Sequence, residues 1–452
     1  MPNSTQLRLA AREIFDETLR AVGAGDAVRR TLRLEGSQLN ICGTAIDIDT
    51  RRVYAIAIGK AANAMASALD LALGGKLAHG IVATNERYDT ARLGKTLSAA
   101  WQTFESGHPQ PNEQSLAAAR ASIDLLQRAN DEHSLVIFLI SGGGSAMIEW
   151  PINGEITLAD LRAANKVLVN CGASIGEVNA LRRAFSAVKG GRLAAYAPHC
   201  DQITLIISDV ATNEEHNVAS GPTLGAADDE PRPHEVIARY DLAGQLPPAI
   251  LRAISAPSTN SGQAVINSTP LREHFVLLDN SSALGAAATA AKRRGLIAKI
   301  TKDISDQPIE IGCEQLMTRL EELRLVVNDA SLDQASLCLI SGGEFTCPVR
   351  GDGIGGRNLE TALRLACSID SRSSDGEHFA ALCAGTDGID GNSPATGAII
   401  DETTIRRARG IGLDPKDFLN RSDAYSFFVA LGDSIATGPT GTNVRDVRIL
   451  LV

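Results

Sequence analysis

Five short stretches of this chain, four of them containing glycine, carry chemically capable side chains. Lys60 closes the run AIGK and opens AANAM. An ammonium at the end of a strand can meet the oxygens of a transferring phosphoryl group; a surface lysine is the plainer alternative. Ser141–Ser145 reads SGGGS. Gly142, Gly143 and Gly144 permit positive φ and a close backbone approach to a carboxylate or phosphate, and a tight turn without ligand is the alternative. Ser145 is followed by alanine, so the G-x-S-x-G nucleophile elbow is absent. Asp209 in IISDV and Asp387 in AGTDGIDG are carboxylates of the kind that hold magnesium with phosphates. Asp390, in the same loop, suits helix capping or turn formation better.

Arg357 ends the stretch GDGIGGR, in which Gly351, Gly353 and Gly356 spell G-x-G-x-x-G. The pattern raises a choice between hydride and phosphoryl chemistry. A dinucleotide turn should follow a strand and carry an acid about 20 residues on. Here FTCPV is short and contains Pro348, and Asp375 and Glu377 lie in the loop-like SRSSDGEH. The guanidinium fork of Arg357 fits a phosphate directly. His108, in the proline-rich SGHPQPN, is a possible substrate contact, as are Asn179 and Lys189 in the basic segment NALRRAFSAVKGGR.

The elements that must position these groups are short apolar runs followed by helical patterns. Val53–Ile58, 80–83, Leu135–Ile140 and Ile203–Ile207 show no polar alternation, as expected of a parallel sheet covered on both faces. Such a sheet binds ligands beyond the carboxyl ends of its strands, where GK, SGGGS and SDV fall. The stretch from about Leu224 to Pro270, with DDEPRPHE and SAPSTNSGQ, reads as a linker. A second α/β unit follows, with strands at 275–278, 337–340 and 379–383. The boundary expected is 1–265 for the larger doubly wound domain and 266–452 for the smaller. SLCLISGGEFT echoes LVIFLISGGGSAM, so Gly342, Gly343 and Glu344 offer a second anion-binding turn.

At 452 residues, 44% hydrophobic and 21% charged, the composition is that of a globular protein of two or three domains. A net charge of −10 argues against a general nucleic-acid surface. The eight cysteines contain no C-x-x-C pair, and the N-terminus reads as an amphipathic helix, not a signal peptide. No run spans a membrane, and a cytoplasmic protein is expected.

Taken in order, GKAANAM, SGHPQPN, SGGGSAM, NALRRAFSAVKGGRLA, SDV with VASGPT, SGGEFT, GIGGRNLE, GTDGIDG, DAYSFF and GPTGTNVRD make the chain resemble the class II glycerate 2-kinases, a family often misnamed hydroxypyruvate reductase. The resemblance implies two α/β domains with the active site in the cleft between them. It also implies ATP-dependent phosphorylation of D-glycerate at the 2-hydroxyl, with a divalent metal. It carries the family's catalytic lysine and arginine onto Lys60 and Arg357. The remaining roles follow from residue chemistry and not from the family: the SGGGS turn takes glycerate, and Gly342, Gly343, Glu344, Gly355, Gly356 and Asn358 take ATP. Mg²⁺ goes to Asp209 or Asp387. The chain departs from the family after GTDGIDG, where Asn392–Ala398 reads NSPATGA and lacks the family's aspartate. Two rivals remain: a nicotinamide-dependent reductase of hydroxypyruvate, and a non-catalytic binding module.

Overall fold

A computed structural model describes residues 3–85, 96–227, 229–256, 270–329, 336–372 and 377–452. The chain divides into two compact units, one made of Ala24–Leu277 and the other of Met1–Gly23 with Leu278–Val452. The N-terminal helix Ser4–Ala21 therefore packs with the C-terminal half, and the chain leaves the first unit at 277/278, not at the 265/266 boundary expected from the linker composition.

In the Ala24–Leu277 unit, three strands make a small antiparallel sheet: β1 (Leu32–Glu35), β2 (Gln38–Ile41) and β3 (Thr44–Asp47). It had no counterpart in the sequence reading. The main sheet holds β4 (Val53–Ile58), β5 (Leu77–Thr84), β6 (Trp101–Glu105), β7 (Leu135–Ser141), β8 (Asp201–Ile207) and β9 (Arg272–Leu278), in the order β6-β5-β4-β7-β8-β9. From β6 to β8 every pairing is parallel. Every residue of β4 and β7 is buried, which explains their unbroken apolar sequence. From β4 the chain winds outward through β5 to β6. It then returns by the helix Glu113–Asp131 to place β7 on the other side of β4. The winding reverses between β4 and β7, and such a switch point opens a crevice beyond the carboxyl ends of the two strands.

The other unit is α/β with a mixed sheet. It contains β10 (Ile297–Thr301), β11 (Leu337–Gly343), β12 (Ala380–Gly385), β13 (Gly397–Asp401), β14 (Ser434–Ile435) and β15 (Asp446–Leu451), ordered β10-β11-β15-β12-β13-β14. Only β10 and β11 pair in parallel. The last strand of the chain lies between β11 and β12 and runs against both. Its first residue, Asp446, is thereby level with Gly343 and Gly385, the ends of those strands. The helix Arg357–Arg372 buries Leu359, Leu363, Ala366 and Ile369 in a core shared with Ala381 and Ile400.

Candidate functional site

The switch point of the parallel sheet gathers most of the predicted groups of its unit. Lys60 N–H donates to Gly142 O at 2.9 Å. Ala61 N–H donates to Ser141 Oγ at 3.0 Å, and that hydroxyl donates to Ile58 O at 3.2 Å. The loops after β4 and β7 are therefore laced together. Gly59, at φ +115°, has no room for a side chain against Ser141. Gly143 sits at φ +80°, and a Cβ there would stand 3.2 Å from His108 Cδ2 and Nε2 and from Lys60 Cγ. The Lys60 stem and the His108 ring thus flank one glycine. Gly142 lies against the Asp209 carboxylate so closely that a Cβ would collide with it. Lys60, His108, Asp209 and Ser141–Gly144 form one constellation, with a cation, an imidazole and a carboxylate around a turn in which Gly143 is partly exposed and its neighbours are buried.

We expect Gly142→Ala to displace Asp209 or the turn. Overpacking of this kind costs about 1–3 kcal/mol, so thermal unfolding should shift down by several degrees. Unchanged unfolding would mean that the carboxylate moves aside freely.

Ser145 faces a different network. Its Oγ is 2.6 Å from Ser220 Oγ, which donates to Asn179 Oδ1 at 2.7 Å; Asn179 Nδ2 donates to Asn217 Oδ1 at 3.2 Å. Asn179 is 1% exposed. Lys189, also 1% exposed, is ion-paired with Glu149, and its Nζ donates to Ile148 O at 3.4 Å. Burial holds its pKa below the ordinary lysine value against the pull of Glu149. The structure thus places Asn179 and Lys189 in the interior behind the turn. Direct contact with substrate would require those bonds to be given up.

In the other unit Arg357 starts its helix at the ends of β11 and β12. Its Nε donates to Asp446 Oδ2 at 2.6 Å, and its Nη2 lies 3.3 Å from Asp446 Oδ1 and 2.8 Å from Glu344 Oε1. Burial opposes its charge, but Asp446 and Glu344 override this and hold its pKa above the usual arginine value. Asp446 is 1% exposed. It escaped the sequence reading because it opens the strand DVRILL, and only the antiparallel insertion of that strand brings it to Arg357. A Cβ on Gly385 would lie 3.2 Å from Asp387 Oδ1 and 3.5 Å from Asp446 Oδ1. Asp387 therefore flanks the same strand end.

The G-x-G-x-x-G stretch is a packing device. Asp390 accepts from Asn358 N–H at 3.1 Å, Asn358 Nδ2 at 3.2 Å and Leu359 N–H at 2.8 Å, so its carboxylate occupies the helix N-terminus where a pyrophosphate would sit in a dinucleotide fold. Gly356 has no room for a Cβ beside Asp390, and Gly353 none beside Arg421 and Asp423. Burial pushes the Asp390 carboxyl up to about 7, against these hydrogen bonds. Gly355 N–H donates to Asn392 Oδ1 at 2.8 Å, and Asn392 Nδ2 donates to Gly353 O at 3.2 Å. Asn392, in the loop that departs from the family, thus ties that loop to the glycines. Pro394, where the family's aspartate would stand, is exposed. Gly343 N–H donates to Asn280 Oδ1 at 3.0 Å and Glu344 N–H to Asp306 Oδ1 at 3.1 Å. Gly342 and Gly343 belong to β11, so the echo of SGGGS is a strand end, not a second open turn. Asp375 lies outside the described residues.

Among the described residues no three His, Cys, Asp or Glu side chains converge on a metal-sized point. Magnesium bound with nucleotide commonly uses one or two carboxylates, with phosphate and water completing the shell. Asp209 and Asp387 have the donor chemistry for that role.

Fold and site define a two-unit α/β protein whose parallel sheet gathers Lys60, His108 and Asp209 at its switch point. Residues 10–255 match the model described as "Domain of unknown function (DUF4147)", and residues 337–446 match the MOFRL family. The chain is 31% identical to the D-glycerate 2-kinase of Thermotoga maritima, over 99% of this chain and 98% of that one. It is also 31% identical to the glycerate 2-kinase of Pyrococcus horikoshii, over 99% and 97%. A relative from Agrobacterium vitis, 36% identical over 89% and 99%, is provisionally named a hydroxypyruvate reductase. The crystal structure of the Thermotoga maritima glycerate kinase superposes with a TM-score of 0.77 at 29% identity, covering 99% of this chain and 100% of that one. The chain belongs to the glycerate 2-kinase family.

Proposed function

We propose that the protein transfers the γ-phosphoryl group of ATP to the 2-hydroxyl of D-glycerate, forming 2-phosphoglycerate and ADP. The observation that carries this reading is the convergence of Lys60, His108, Asp209 and the SGGGS turn at the switch point, in a chain whose relatives are named for this reaction. The hydroxyl oxygen attacks the γ-phosphorus, the bond to the ADP oxygen breaks, and the hydroxyl proton passes to a carboxylate, Asp209 or Asp387. Lys60 and Arg357 neutralise charge on the transferred group, and the SGGGS backbone accepts the anionic ends of the substrates. Magnesium, held through Asp209 or Asp387, would screen the phosphate oxygens. Positioning and charge neutralisation supply most of the barrier reduction.

The reductase reading is disfavoured by one contact set: Asp390 already caps the helix that a dinucleotide pyrophosphate would need. None of the eight cysteines forms a disulfide, which supports a reducing compartment, and we place the protein in the cytoplasm. No described helix is long and apolar enough to cross a membrane.

Incubation with D-glycerate, MgATP and NADH, beside a parallel tube holding hydroxypyruvate, followed by ³¹P NMR and cofactor absorbance, tests the assignment. We expect a phosphomonoester matching 2-phosphoglycerate and no loss of NADH. Oxidation of NADH with hydroxypyruvate, and no phosphoester, would reverse it.

A further inference from the structure

Beside His108 lies a cavity of about 780 Å³ that the reaction scheme above leaves unused. It opens past the carboxyl ends of β5 and β6. Its walls include Thr84 at the end of β5 and Asn85 after it, Thr103 and Glu105 from β6, and Ser106 and Asn112 from the loop that carries His108. A three-carbon acid fills little of such a volume, whereas ligands of drug or cofactor size occupy about 300–1,000 Å³. Among the described residues, neutral amides and hydroxyls dominate the lining. They suit an uncharged polar body better than a polyphosphate. Ser106 is 4% exposed, and its Oγ has no hydrogen-bond partner. A buried hydroxyl left unpaired costs roughly 1–3 kcal/mol, which a bound ligand would offset.

We infer that this cavity receives the nucleoside of the phosphoryl donor. The inference rests on the kinase reading and gives the donor a place in the unit that carries Lys60. Asparagine side chains offer paired donors and acceptors to a base edge. Glu105 is an acceptor for ribose hydroxyls, as acids at the ends of such strands are in dinucleotide folds. His108 lines the cavity and also borders Gly143 beside Lys60, so a nucleoside seated here directs its phosphate chain past His108 toward Lys60 and the SGGGS turn. Meanwhile the N–H groups of Gly343, Glu344, Gly355 and Asn358, first assigned to ATP, already donate to protein oxygens.

The test separates nucleoside binding from turnover. Thr103 is exposed on its strand, so Thr103→Trp fills the cavity without entering the core. Ser106→Ala removes only the unpaired hydroxyl. Adenosine alone is titrated by calorimetry, and KM is measured for MgATP and for D-glycerate. We expect Thr103→Trp to weaken adenosine binding and raise KM for MgATP by ~10-fold or more, about 1.4 kcal/mol. KM for glycerate should stay within about twofold, and Ser106→Ala should shift the same two constants in the same direction by less. A rise in KM for glycerate alone, or adenosine binding equal in all three proteins, would overturn the inference. If the unaltered protein phosphorylates nothing but binds adenosine, and Thr103→Trp abolishes that binding, the cavity assignment stands and the kinase reading falls.

Discussion

Lys60→Ala should lower kcat/KM for D-glycerate phosphorylation by about 10²-fold or more, the size of a lost preorganised electrostatic stabiliser. The backbone of Lys60 is fixed by its bond to Gly142 O, and its stem is fixed beside Gly143. Truncation leaves both loops in place, since the lacing bonds come from backbone and Ser141. Far-ultraviolet circular dichroism and the urea midpoint should therefore match the unaltered protein. The loss should fall mainly on kcat, because charge on the transferred group grows toward the transition state. Lys60→Arg keeps the charge on a different shape and should recover little if position dominates. Near-normal turnover in Lys60→Ala would remove the residue from the mechanism.

Arg357→Ala should cost a similar factor in kcat/KM, with a structural effect besides. Asp446 is nearly fully buried and accepts two bonds from the guanidinium. Losing one partner of a buried pair is strongly destabilising, by about 3–5 kcal/mol, when the other charge is left uncompensated. Arg448, 4.0 Å from Asp446, limits that penalty here. Arg357→Lys separates the two effects: it leaves a cation for Asp446 but lacks the planar fork. We expect Arg357→Lys to hold a urea midpoint close to that of the unaltered protein, yet to lose about 10²-fold in kcat/KM. Full activity in Arg357→Lys would reduce Arg357 to a counter-ion for Asp446.

Much of the parallel-sheet unit was legible in the sequence. Short unbroken apolar runs set between helical patterns suit strands buried on both faces, and Val53–Ile58 and Leu135–Ser141 are so buried. The residues after those runs had to lie at strand ends, so Lys60, SGGGS and Asp209 could be marked together. Of the two structural roles open to Asp390, capping and turn formation, it takes the first, at the N-terminus of the Arg357–Arg372 helix. The glycines of GDGIGG could be set aside as a dinucleotide turn from their context, but G-x-G-x-x-G records only that a side chain is excluded, not what excludes it. Asp390, Arg421 and Asp423, all distant in sequence, do the excluding.

The sequence by itself determined which residue types stand at strand ends and which runs are buried, because strand burial and turn chemistry are local properties of neighbouring side chains. Tertiary structure decided the partners. Inserting β15 antiparallel between β11 and β12 placed Asp446 against Arg357. Reversing the winding at β4 and β7 joined Lys60 to Gly142 and brought His108 beside Gly143. Those pairings depend on strand order and register between segments tens of residues apart, and no local pattern encodes them.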